Sequence, residues 1–431
     1  MNPLVRPIKT AAETALVEQF TAVKSSLPGD RSVREAAFGA VVEGLPHRRI
    51  EEWKYTDLRA LMKEAKPLAS EPSKAEIEAA KESVPFAAIR KPDALVVNGV
   101  LAELGSLPNG VEAVSLARAY ADNHPLLAKF GEAEAPGDNA AIALNTAFVS
   151  DGVLLTVKAG TKLDEPLHLA FVQQGAGHAA YARVLVVVEE GASLTLIESH
   201  TGKGAHQTNS YVELLAGDRT DVTLVKLQAE DLATQHLATL ALKLGAEANL
   251  TTVNVARGSA LGRQQLFVKF EGDNSKASLN GISLSGGQRH LDTTLFVDHA
   301  SFGCESREQF KQVLDGESRS IFQGKILVRQ NAQKTDGRMM MRALMLSEGA
   351  EADLKPELEI YADDVQCAHG ATCAAIEEDY LFYLMARGIP KKEAEAMLIE
   401  AFVDDVLEAV EDEPLRGEIQ AVTNEWLRVR D

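Results

Sequence analysis

Cys367 and His369 stand two residues apart near the end of the segment LKPELEIYADDVQCAHGATC, residues 354–373, and Cys373 closes that segment. A thiolate and an imidazole at this spacing form a donor pair for a soft metal or a sulfur-bearing ligand. The three candidate ligands fall within seven residues, a spacing that matches no zinc finger, and a closed tetrahedral site needs a fourth donor. Asp363 and Asp364 are near enough in sequence to lend oxygen. The alternative is a buried thiol beside a hydrogen-bonded histidine. Strand parity bears on the choice. If one strand runs through the segment, Leu358, Ile360 and Ala362 face a core, and Glu357, Glu359, Cys367 and His369 face away from it. A bulge at Asp363-Asp364 would undo that assignment.

A second constellation, Asp298-His299 with Cys304, reads as a satisfied histidine beside a small buried thiol. The remaining histidines stand alone in sequence and carry no assignment. There is no G-x-x-x-x-G-K-[ST] phosphate loop, no G-x-S-x-G and no H-E-x-x-H. The chain is therefore expected to bind no nucleotide of its own. The acidic pairs Glu189-Glu190, Asp363-Asp364 and Glu377-Glu378 read as solvated turns.

The elements that must position Cys367 and His369 come in three blocks. Residues 1–138 read as mainly helical, with helices at 10–24, 31–42 and 74–82 and a short hairpin turning at Asn98-Gly99. From 139 to 375 the apolar period drops to two, and β-branched residues dominate. A phrase recurs there, a glycine followed by small or acidic residues and then a strand. It falls at Gly191, Gly217, Gly245, Gly272, Gly316 and Gly349, with spacings of 26, 28, 27, 44 and 33 residues. Strands repeated at this period with no helical filler favour stacked β coils over a sandwich of hairpins. The two longer spacings predict insertions. Residues 376–431 turn helical again, with Gly388 at a helix end and Pro390 at the next helix start. Ala394, Met397, Leu398, Ala401, Phe402, Leu407 and Val410 form an apolar stripe on that helix. The stripe is either a docking face or a core face.

The net charge of −19 argues against nucleic acid or an anionic membrane as partner. Three cysteines in 431 residues do not make a disulfide framework, and reduced thiols fit a cytoplasmic setting. Neither a signal peptide nor a transmembrane run is expected.

Residues 306–372, SREQFKQVLDGESRSIFQGKILVRQNAQKTDGRMMMRALMLSEGAEADLKPELEIYADDVQCAHGAT, resemble the core signature of the SufB/SufD family of iron–sulfur cluster assembly proteins. FYLMARGI, residues 382–389, continues the match. RRIEEWKYTDLRAL, residues 48–61, is similar to the N-terminal segment of the SufD branch. The N-terminal cysteine motif often seen in the SufB branch is missing.

The resemblance implies a mainly β fold, a right-handed parallel β-helix core between N-terminal and C-terminal helical domains. It implies a non-enzymatic scaffold subunit of the SUF complex. Its partners would be a SufB-like paralogue, paired through the β-helix, and a SufC-like ATPase on the C-terminal helices, whose ATP-driven dimerisation shifts the paired interface. His369 matches the histidine that the SufD branch places at that interface, opposite a cysteine of the SufB-like partner, and Cys367 matches its neighbour. These two would contact iron or a transient iron–sulfur cluster. No role carries over to Cys304 or Cys373. Self-dimerisation of the isolated chain stays open. So do a SufB-type scaffold that holds the cluster itself and a β-helix polysaccharide lyase or hydrolase, although no carboxylate cluster is evident in the repeats.

Overall fold

The structure, a computed structural model, describes residues 9–133, 135 and 139–429. Its centre is a parallel β-solenoid of about eight turns, flanked by helices at both ends of the chain. Each coil gives one strand to each of two sheets, so successive strands of the solenoid alternate between a ten-stranded and a nine-stranded sheet. Alternation then does the rest. Leu194, Val222, Leu250 and Ala277 stack in one row because each is paired with the next in parallel register. Such rows from both sheets meet inside the coils as one continuous apolar core. No single coil can bury its face alone, which is why the repeat must stack.

The turns repeat as faithfully as the strands. Gly191, Arg219, Glu247, Asn274, Gly303 and Lys334 all adopt left-handed backbone conformations. Each donates its N–H to a carbonyl in the following coil, from Gly191 to Asp218 at 2.8 Å through to Lys334 to Asp364 at 2.7 Å. The expected insertions amount to a few residues per coil among the described residues. Strand partners lie 26 residues apart between Gln235 and Leu261 and 32 apart between Arg319 and Glu351, so the later coils are only slightly longer. The 44-residue spacing arises because the glycine phrase changes sides. Gly272 follows a strand of the nine-stranded sheet, whereas Gly316 follows one of the ten-stranded sheet.

Helices Ala11–Val23, Arg31–Val42 and Lys74–Glu82 form where the sequence places them, the first closed by a Thr10/Glu13 capping box. Three strands from before residue 139 extend the sheets. Ala94–Val97 pairs in parallel with Leu167–Gln173, Val100–Leu104 folds back on it through Asn98-Gly99, and Val111–Ser115 pairs antiparallel with Asp151–Val157. The first two helices and Ala140–Phe148 pack on the outside of the nine-stranded sheet around Phe20, Phe38 and Phe148.

At the other end of the chain, helices Lys391–Leu407 and Glu413–Val429 cover the outside of the ten-stranded sheet. The buried face of Lys391–Leu407 is Ala394, Ile399, Val403, Val406 and Leu407. The stripe therefore faces the core, and it runs through Ile399 and Val403, while Met397 is exposed. Among the described residues no helix is long and apolar enough to cross a membrane.

Candidate functional site: the open terminal coil

Residues 354–373 do not form one strand. Glu351–Ile360 ends the nine-stranded sheet and Gln366–Ala374 ends the ten-stranded sheet, with a turn between them. Lys334 in the preceding coil holds that turn. Its N–H donates to the Asp364 carbonyl and its ammonium pairs with the Asp364 carboxylate. Parity therefore resets at Asp363-Asp364. Cys367, His369 and Cys373 lie opposite Gly337, Met339 and Ala343. Met339 and Met341 belong to the inner core, so Cys367, His369, Ala371 and Cys373 continue inward-facing rows rather than pointing out. The side assigned by straight-strand parity is thus corrected.

No further coil follows. Glu351–Ile360 and Gln366–Ala374 each pair on one side only, leaving two free strand edges. Cys367 is half-buried against the end of the core, while His369 and Cys373 are exposed. Burial pushes the Cys367 thiol up from its ordinary value, and the negative charges of Asp336 and Glu308 add to the rise. Among the described residues no group of three or more His, Cys, Asp or Glu is disposed to hold a metal ion. Cys367 and His369 are two donors at an open end, and this chain does not complete a coordination shell around them.

The second constellation separates. His299 points inward, stacked on Phe270 with ring centroids 4.4 Å apart, and its Nε2 lies 2.9 Å from Ser306 Oγ. Asp298 points outward to an ion pair with Arg329 at 2.6 Å. Cys304 is fully buried in the core, its thiol directed to the Gly272 carbonyl at 3.4 Å.

Two family models match the chain. The SUF system FeS cluster assembly SufBD core domain covers residues 171–402, and the SufBD protein N-terminal region covers 19–169. The chain belongs to the SufBD family.

Its relatives include an iron–sulfur cluster assembly SufBD family protein of Synechocystis, 29% identical over 87% of this chain and 86% of the relative. The iron–sulfur cluster assembly protein SufD of Escherichia coli is 29% identical, with 88% of each chain covered. A chloroplastic protein of Arabidopsis thaliana, ABCI7, is 26% identical over 97% of this chain and 89% of its own length. Iron–sulfur cluster assembly is thus the work of the family, not carbohydrate cleavage.

Within this SufBD fold, some buried groups escaped the sequence reading. Glu308 occupies the inward row of Met339 and His369, since Glu308 pairs with Met339 and Met339 with His369. It is 2% exposed, neither carboxylate oxygen has a hydrogen-bond partner, and burial pushes its pKa up to about 8. Alternation with Ser306, Phe310 and Gln312 was the available signal.

The histidines left unassigned do not all stand alone. His200 Nε2 and Lys226 Nζ meet Glu198 at 2.6 and 2.7 Å, and His236 and His206 flank Glu230 at 2.7 and 3.5 Å, all inside the coils. Lys226 lies 28 residues from Glu198 in sequence but opposite it in coil register.

Proposed function

We propose that this chain is a non-catalytic scaffold subunit of SUF iron–sulfur assembly. Its open terminal coil pairs with a SufB-like paralogue, and its C-terminal helices carry a SufC-like ATPase in the cytoplasm. The observation that carries this reading is the pair Cys367 and His369 on an edge strand with unpaired backbone and an incomplete ligand shell. A second solenoid laid against that edge would satisfy the free N–H and C=O groups and bring in the missing donors. Iron or a nascent cluster would then be cargo held across the joint, with the imidazole and thiol from this side.

Helix Glu378–Ala386 has no buried residue, and Tyr380, Phe382 and Tyr383 are 59%, 73% and 55% exposed. Such an aromatic surface suits a protein partner. It makes this helix, rather than the core-facing stripe of Lys391–Leu407, the surface offered to the ATPase.

The test is co-expression with a SufB-like and a SufC-like protein, followed by affinity capture on this chain. Three-component recovery is expected. Phe382→Asp should release the ATPase while the paralogue stays bound. This substitution is preferable to deleting the last helices, which would bare Val225, Val253 and Ile282 on the sheet they cover. His369→Ala should leave folding and complex formation intact and lower the iron and sulfide recovered per complex. Undiminished cluster loading in the alanine variant would remove His369 from the site, and capture of this chain alone would sink the scaffold reading.

A further inference from the structure

The two free edges of the terminal coil are not alike. The Glu351 N–H donates to the Ser318 carbonyl and the Tyr361 N–H to the Val328 carbonyl, both at 2.9 Å. Between these bonds the strand keeps one register with Arg319–Val328. The main-chain N–H and C=O groups of successive residues in a strand point to alternate sides. Odd-numbered residues of Glu351–Ile360 therefore face the neighbouring strand, and Ala352, Leu354, Pro356, Leu358 and Ile360 face the free edge. Proline has no N–H, so the row of donors on this edge is broken at its centre.

Gln366–Ala374 presents an unbroken edge. The Gln366 N–H donates to the Thr335 carbonyl at 2.9 Å, and the register with Asp336–Met345 is again constant. Even-numbered residues thus bond within the sheet. Cys367, His369, Ala371 and Cys373 turn their N–H and C=O groups to the free edge.

The outward side chains differ in the same sense. Leu354 and Leu358 pack on the inner core, so Asp353, Lys355, Glu357 and Glu359 lie on the outer face, in ion pairs with Arg319, Glu51 and Lys325 and with one another. The outward residues of Gln366–Ala374 are Gln366, Ala368, Gly370, Thr372 and Ala374, and none is charged. Proline and charge are two devices that keep a sheet edge from acquiring a neighbour. The strand Glu351–Ile360 carries both, and Gln366–Ala374 carries neither.

We infer that the Gln366–Ala374 edge alone takes the partner's strand, and that Glu351–Ile360 stays an edge in the assembled complex. The inference rests on the paired-solenoid reading above. The joint is then laced by main-chain hydrogen bonds on the ten-stranded side and only abutted on the nine-stranded side. Cys367 and His369 supply main-chain groups to that lacing while their side chains point into the coil. The pairing that joins the two chains therefore also fixes where the thiol and imidazole stand.

The test compares the two edges in the full chain, alone and in complex with a SufB-like paralogue. Amide hydrogen exchange should slow on complex formation in peptides spanning residues 366–374 and stay at its free rate in those spanning 351–360. Two proline variants, Ala371→Pro and Ala352→Pro, each remove one N–H from a free edge and no bond within the chain. With melting curves unchanged, Ala371→Pro should weaken capture of the paralogue about tenfold or more, the worth of one lost hydrogen bond, and Ala352→Pro should leave it intact. Protection of both edges, or equal loss of capture in the two variants, overturns the one-sided joint while leaving the scaffold reading in place. Failure of the unaltered chain to capture the paralogue overturns both.

Discussion

Glu308 keeps its proton where most carboxyls have lost theirs. Burial lifts its pKa from 4.5 to about 8. Below pH 4.5 the folded and unfolded chains both hold the proton, so nothing is lost on folding. Between 4.5 and 8 the unfolded chain releases it and the native chain does not, so the native state loses about 1.4 kcal/mol per pH unit. Glu308→Gln should therefore be near neutral at pH 4.5 and should raise the melting temperature at pH 8. An equal change at both pH values would mean that Glu308 is not a buried acid. The sequence made the different chemistry of Cys367 and Glu308 unequally visible. Cys367 and His369 are two residues apart, so their partnership is written in one dimension. Glu308 reaches their row only through two strand pairings, and Lys226 reaches Glu198, as His206 reaches Glu230, only once one coil lies on the next. Side assignment failed for a related reason, because a single turn at Asp363-Asp364 resets a period of two.

Among the elements, the turns set the tolerance of the fold. A Cβ on Gly272 would sit far inside van der Waals contact distance of the Ala246 nitrogen in the neighbouring coil. Gly272→Ala should therefore destabilise by about 2 kcal/mol or more, since backbone must move. Gly417 lies in helix Glu413–Val429 with nothing within 4 Å of its added Cβ, and Gly417→Ala should stabilise by about 0.5–1 kcal/mol. Chemical denaturation midpoints of the two variants should move in opposite directions. Shifts of the same sign would contradict the stacking geometry. Element ends with local causes were legible, including the Gly388 helix end with φ of 87° and the helix start after Pro390. The side of the solenoid on which a glycine phrase falls was not, because two different turns use similar residues. Gly316 takes a left-handed conformation itself, with φ of 66°, whereas the turn at Gly217 gives that role to Arg219, with φ of 55°.

For the molecule as a whole, the interior histidines set an acid limit. Burial pushes His168, His200 and His299 down from 6.5 to about 4. Between those values the unfolded chain takes up protons that the native chain refuses, so stability is lost as pH falls through 6.5 and continues to fall towards 4. Glu198, held near 2 beside Lys226 and His200 despite its burial, adds a further loss below 4.5. In a Glu308→Gln variant, which removes the opposing contribution of that carboxyl, denaturant midpoints should thus decline steadily from pH 7 to 5. A flat profile over that span would show that these histidines protonate in place.

The two ends of the solenoid differ. One finishes in five-residue antiparallel strands, Val100–Leu104 and Val111–Ser115, the first with a register shift in its pairing. Short, irregular edges of this kind resist extension. The other finishes in parallel strands of ten and nine residues with regular register. Such a body has a valence of one. It can join one neighbour by its long edges and then has nothing equivalent left to offer. Any growth by these edges would halt at a pair, and a molecule built from the same stacking as a fibre would be spared from becoming one.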